Sequence, residues 1–261
     1  MMVVLNVNDL TKVYNSKKNI SKTNALNGIN LKIEQGEFVG IMGPSGSGKT
    51  TLLNILSGID NATSGKIEIL GEDINKMSKN SMTLFRRNNL GYVFQEFNLL
   101  DSLTIEENIM LPLSFCCENL EELNKKVKNI MSMLDIESIK NQYPYSVSGG
   151  EQQRTAIGRA IINNPNVIFA DEPTGNLDSK SSNIIMQYFE KLNILKKNTI
   201  VVVTHDPFTA SYCNRIIFIK DGLVNSEITK SGTNRKRFFG QIMENLTVLG
   251  GDDDEFSTNF F

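Results

Sequence analysis

Gly43-Pro44-Ser45-Gly46-Ser47-Gly48-Lys49-Thr50 satisfies G-x-x-x-x-G-K-[ST] at every fixed position. The residues before it, Phe38, Val39, Gly40, Ile41 and Met42, read as a buried strand. Those after it, from Thr51 through Leu52, Leu53, Ile55 and Leu56, read as a helix ending near Gly58. Strand, loop and helix in that order give the motif its meaning, because glycines let the backbone aim N–H groups at phosphate oxygens beside the positive end of a helix. In such a cradle Lys49 reaches the terminal phosphates and the Thr50 hydroxyl ligates Mg²⁺. A Gly/Ser-rich surface turn would use the same residue types; the flanking strand and helix are what argue against it.

Bulk composition narrows the classes. A chain of 261 residues can bury one large core or a core with a subdomain, and 40% hydrophobic with 21% charged residues is ordinary for a globular protein. The formal net charge of -2 argues against a protein that coats nucleic acid. No apolar run approaches the ~18 residues needed to span a bilayer, and Asn6, Asn8 and Asp9 come too early for a signal peptide, so a cytosolic chain is expected. Adjacent Cys116 and Cys117 and distant Cys213 fit neither a disulfide framework nor a metal site, and are read as small apolar packers. His205 is the sole histidine.

Around the motif the opening of the chain reads as short antiparallel strands, near residues 3–14, 31–33 and 64–70, with the polar segment 15–24 expected to be a loop. From residue 104 to 140 nearly everything has helical spacing, beginning at a Thr104/Glu107 capping box, and this is taken as an all-helical subdomain inserted in an α/β core. Strand and helix alternation then returns: residues 167–170 and 199–203 are buried strands, 181–195 a helix, and 215–219 leads to an Asp221-Gly222 hairpin turn. Spacing from Arg235 to Leu249 predicts a C-terminal amphipathic helix before an acidic tail at residues 252–255.

Two further stretches carry chemistry. Asp171 and Glu172 end a buried strand, where an open α/β sheet places its ligands; the first suits Mg²⁺, the second an attacking water. Ser148-Gly149-Gly150-Glu151-Gln152 opens a helix that runs through Ile161, with Ser148 as N-cap candidate and two glycines baring the first N–H groups as a second anion site. A plain capped helix has the same Ser-Gly-Gly opening.

The order of phosphate loop, Gln95, Ser-Gly-Gly-Glu-Gln, Asp171-Glu172, Gly175-Asn176-Leu177-Asp178 and His205 resembles the nucleotide-binding subunit of ABC transporters over about residues 3 to 228. The resemblance implies a P-loop NTPase (RecA-like) α/β core with an antiparallel β subdomain and an inserted α-helical signature subdomain near residues 96–163. It implies a nucleotide-binding domain over residues 1–230 and a separate C-terminal helix and tail at 231–261. ATP and Mg²⁺ are the implied ligands. The loop from Gly43 to Thr51 would hold the phosphates, and Thr50, Gln95 and Asp171 the metal. Glu172 would be the general base, His205 a γ-phosphate contact, and Tyr14 the adenine platform, simple core packing being the alternative for Tyr14. Ser148, Gly149, Gly150 and Asp178 would complete the site of a second copy. Val147 and Glu151 depart mildly from the commonest signature.

The segments 92–100 and 103–109, with Glu172-Pro173-Thr174-Gly175-Asn176-Leu177-Asp178, are similar to the lipoprotein-release, macrolide-export and antimicrobial-peptide-resistance subgroup. The Gly250-Gly251-Asp252-Asp253 tail resembles its bacitracin-type branch, although a frayed solvated end has the same composition. An integral-membrane permease and a second copy of the chain are the implied partners, on the inner face of the plasma membrane. A signalling or cell-division coupling ATPase is the rival reading. Ribosome- or DNA-acting relatives carry doubled domains or long insertions not found here.

Overall fold

The computed structural model describes residues 2–15, 22–115 and 119–250. Cys116, Cys117, most of the segment expected as a loop, and the acidic tail lie outside the described residues. In chain order the elements are β1 (Val3–Asn15), β2 (Lys22–Glu34), β3 (Phe38–Met42), α1 (Lys49–Leu56), β4 (Ser64–Ile69), β5 (Glu72–Asp73), α2 (Lys79–Asn89), β6 (Leu90–Val93), α3 (Ile105–Met110) and α4 (Leu120–Met133). They continue with α5 (Gly149–Ile161), β7 (Val167–Asp171), α6 (Ser179–Lys196), β8 (Thr199–Val203), α7 (Pro207–Ala210), β9 (Arg215–Lys220), β10 (Leu223–Thr229) and α8 (Arg235–Gly250). The chain divides into two compact units, residues 1–77 with 201–261, and residues 78–200.

In the first unit, β1 pairs antiparallel with β2 and β4, and β4 with β5, in the order β2-β1-β4-β5. These strands are longer than expected. Asn15 pairs with Lys22 and Tyr14 with Thr23, so residues 22–24 are strand and not loop. Their polarity reflects solvent on both faces at the hairpin's end, where ladder hydrogen bonds persist without a core to cover. Against this unit's second layer, β3 is buried at all five positions and runs parallel to β9, which pairs antiparallel with β10 through the Asp221-Gly222 turn. Leu52, Leu53, Ile55 and Leu56 of α1, Ile216 to Ile219 of β9, and Phe238 and Ile242 of α8 are buried, so α8 is part of the core.

The second unit is helical around one parallel strand pair, β6 with β7. Ile105 and Ile109 of α3, Val127 and Met131 of α4, Ala156 and Ile157 of α5, and Ile185 and Phe189 of α6 are buried beside Phe169 of β7. The Thr104/Glu107 capping box forms as read, and α3 gives way to a 3₁₀ turn at Leu111, one residue before Pro112. Asn108, fully buried in α3, donates to the carbonyls of Leu100, Leu103 and Thr104, which fixes the loop preceding the helix. Because Phe169 is wholly enclosed in β7, Phe169→Ala is expected to lower stability by about 3–5 kcal/mol. Urea denaturation of the full chain checks this, and a loss under 1 kcal/mol would contradict the packing described.

Candidate active site

In the first unit the phosphate loop links the end of β3 to the start of α1 in the strand, loop and helix order expected. Gly48 occupies the N-cap position at φ 100 and a Cβ there would lie 2.4 Å from the Ala25 carbonyl oxygen; one at Gly43 would lie 2.0 Å from that of Ile219. Only glycine lets the loop pass so close to these backbones. Gly48 has no side chain with which to cap α1, and the first turn, Lys49-Thr50-Thr51, carries no acidic residue, so the positive end of the helix stays available to an anion. Lys49 is buried, its ammonium donating to the carbonyls of Gly43 at 2.9 Å and Pro44 at 2.8 Å. The Ser47 carbonyl accepts from Gly222 N–H at 3.1 Å, and Gly222 in turn accepts from Asn27 N–H at 2.9 Å, so the β9–β10 turn props the loop from below. The Ser47 hydroxyl is buried with no hydrogen-bond partner among the described residues.

His205, exposed, follows β8. The N–H of Thr204 donates to Ile41 O at 3.1 Å, which brings the histidine segment beside the end of β3 where the phosphate loop begins. Asp206 N–H donates to the Thr204 hydroxyl, while the Asp206 carboxylate caps α7 by accepting from Phe208 and Thr209 N–H. Tyr14 is half-exposed on β1 and its hydroxyl donates to Asp60. That exposure does not fit the simple core-packing alternative.

In the second unit Asp171 ends β7 and Glu172 follows at φ 41, left-handed backbone that a non-glycine residue adopts at a cost. Burial and the neighbouring Asp171 charge push the Tyr92 phenol well above its ordinary range. A Cβ on Gly175 would lie 3.2 Å from Gln95 Nε2 and 3.4 Å from Glu172 Oε2, so these two side chains converge over one glycine. The Gln95 carbonyl accepts from Asn176 Nδ2 at 3.0 Å. Phe97 and Asn98, at φ 58 and 48, are also left-handed, and their carbonyls are gripped by Arg159 of α5 at 2.8 and 2.5 Å. Buried Gln153 of α5 donates to Pro173 O at 2.7 Å, tying the same helix to the residue after Glu172.

Ser148 is the N-cap of α5, as read, with a full capping box: its N–H and hydroxyl donate to Glu151 Oε2, and Glu151 N–H donates back. The hydrogen bond from Ser148 outweighs partial burial and holds the Glu151 carboxyl below its usual range. Glu151 thus acts as the box's acceptor. Ser148 is exposed and Gly149 partly so, whereas Gly150 is buried against Ser181 of α6. The Asp178 carboxylate accepts from Lys180 N–H, Ser181 N–H and the Ser181 hydroxyl, capping α6. Gln95, Asp171, Glu172, Ser148 and Asp178 are therefore all on this unit, and Tyr14, the phosphate loop and His205 on the first. Arg159 and Gln153 were given no role from the sequence, and Asn176 was read only as part of a motif; an arginine and a glutamine within α5 were the available signal.

Residues 26–175 match the family described as ABC transporter. The chain is 51% identical over 255 residues to the Bacillus subtilis protein called uncharacterized ABC transporter ATP-binding protein YvcR, covering 98% of each. It is 47% identical to the bacitracin export ATP-binding protein BceA of Halalkalibacterium halodurans, over 96% of this chain and 98% of that one. Among solved structures, the dimeric structure of the ABC transporter cassette MJ0796 from Methanocaldococcus jannaschii superposes with a TM-score of 0.81 at 44% identity, covering 87% of this chain and 99% of that one. A post-hydrolysis dimer of the same cassette bound to ADP and Pi superposes equally well. With the motifs in that family's order and on its fold, the chain belongs to the ABC transporter family, as an ATP-binding and ATP-hydrolysing subunit.

Proposed function

We propose that the chain is the motor of a permease that exports, or confers resistance to, antimicrobial peptides, acting as a head-to-tail dimer around two Mg-ATP on the inner face of the plasma membrane. The name of the bacitracin export relative, which aligns end to end, supports the substrate class. No described helix is long and apolar enough to cross a membrane, so the path for a substrate is assigned to a separate permease chain. The nucleotide-binding domain is taken to span residues 1–230, with its helical subdomain near 96–163. The C-terminal segment, 231–261, is the amphipathic helix and acidic tail that follow it, the helix packing into the first unit's core.

Roles follow from chemistry. The phosphate loop from Gly43 to Thr51 holds the triphosphate through N–H groups and Lys49, and Tyr14 stacks on adenine. The oxygen donors Thr50, Asp171 and Gln95 suit a hard divalent cation, and the partnerless buried Ser47 hydroxyl marks a loop built for a polar ligand. Bound there, Mg²⁺ would neutralise charge on the β- and γ-phosphates. Glu172 takes a proton from water as its oxygen bonds to the γ-phosphorus and the β,γ-bridge breaks; His205 holds the γ-phosphate in line. Ser148, Gly149 and Gly150 bring the α5 N-terminus to the γ-phosphate held by the other copy, and Asp178 crosses the same interface. The observation that carries the reading is the convergence of Gln95 and Glu172 over Gly175 beside a strained backbone.

Purified Glu172→Gln is expected to bind ATP, accumulate as a dimer and turn over about 10²-fold or more slowly; wild-type turnover would remove the general-base role. Lys49→Ala should lose ATP binding itself, measured by equilibrium titration. Ser148→Arg should abolish turnover while each monomer keeps its nucleotide affinity, and a rate per chain unchanged on dilution to strict monomer would contradict a shared site. Deleting the gene should sensitise cells to bacitracin-like peptides; unchanged growth inhibition across such peptides would sink the substrate class alone.

A further inference from the structure

Tyr14 is held more firmly than an exposed aromatic needs to be. Lys12 and Tyr14 are two residues apart on β1, across a register shift in its pairing with β2 at Lys12/Val13, and their side chains meet. The Tyr14 hydroxyl donates to Asp60 Oδ2 at 2.7 Å, and the Lys12 ammonium donates to Asp60 Oδ1 at 2.8 Å and to Asn61 O at 2.6 Å. The same ammonium lies over the Tyr14 ring, 4.6 Å from its centroid, while the residue as a whole stays exposed. Burial and the Asp60 hydrogen bond raise the Tyr14 pKa, while a hydrogen bond with Thr51 lowers it in part. Partial burial opposes ionisation of Asp60, yet the bonds from Lys12 and Tyr14 keep its pKa lowered.

The positions of these partners matter. Thr51 belongs to the first turn of α1, adjoining the phosphate loop. Asp60 lies just beyond the other end, its N–H donating to Asn54 O at 3.1 Å. Asp60 thus turns back along α1 and holds the Tyr14 hydroxyl beside the helix that opens at the phosphate loop. We propose that Asp60, braced by Lys12, is a positioning residue that fixes the Tyr14 ring as the platform for the nucleotide base at a set distance from the phosphate cradle. The inference rests on the reading of Tyr14 as the base-stacking residue. Without Asp60 the phenol loses its carboxylate anchor and the base a pre-set surface, whereas the phosphate loop is untouched.

The test compares ATP with inorganic tripolyphosphate, which has the phosphates and no base, in steady-state assays of the full chain. Asp60→Asn, Asp60→Ala and Tyr14→Phe are each expected to raise the KM for ATP about three- to tenfold, with kcat and the inhibition constant of tripolyphosphate unchanged. Asp60→Ala added to Tyr14→Phe should have no further effect, since both remove the same bond. Equal weakening of ATP and tripolyphosphate, or an undiminished Asp60 effect in the Tyr14→Phe background, would overturn the proposal. Tyr14→Ala separates the layers: if it leaves the KM for ATP unchanged, the base-stacking reading fails, and if it raises the KM while the Asp60 variants are silent, only the positioning role fails.

Discussion

A helix N-terminus kept free of its own side chains is the constraint on which this chemistry depends. Helix α1 starts at a glycine, has no acid in its first turn, and is pinned by buried Leu52, Leu53, Ile55 and Leu56. The N–H groups of a helix's first turn lie beyond its own hydrogen-bond ladder and favour an anion there. The loop that leads to it cannot carry side chains at Gly43 and Gly48, because neighbouring carbonyls already occupy the space. Hydrophobic burial on one side and backbone contact on the other therefore hold a partial positive charge at a fixed place, and Lys49 adds a full one.

The second unit solves a different problem, that of keeping reactive side chains aligned on unfavourable backbone. Glu172, Phe97 and Asn98 all adopt left-handed conformations, each costing on the order of 1–3 kcal/mol. The surrounding structure over-determines them. Arg159 grips two consecutive carbonyls, Asn176 a third and Gln153 a fourth. Arg159 and Gln153 share α5, which opens at Ser148-Gly149-Gly150, so one helix holds both the loop after Gln95 and the residue after Glu172. The same logic explains Glu151: a carboxylate accepts two bonds from Ser148 at the positive helix end, where a neutral amide would gain less.

What was legible in the sequence was local. The buried run before the phosphate loop, the Thr104 and Ser148 caps and the Asp221-Gly222 hairpin each follow from residues within a few positions, and each has the structure expected of it. The end of the first hairpin was misread because residues 22–24 are polar, and polarity reports solvent contact and not the absence of a ladder. The contacts of Arg159, Asn176 and Lys12 were out of reach for another reason. Their partners are 61, 81 and 48 residues away in the chain, so no spacing rule could join them before the fold did.

The open start of α1 also bears on durability. A ligand that binds only the folded chain adds to its stability as its concentration climbs, by about 2.7 kcal/mol at a hundred times its dissociation constant. Fuel and scaffold are in this sense the same molecule. When nucleotide is scarce that contribution is withdrawn, and the folded subunit rests on its buried core alone.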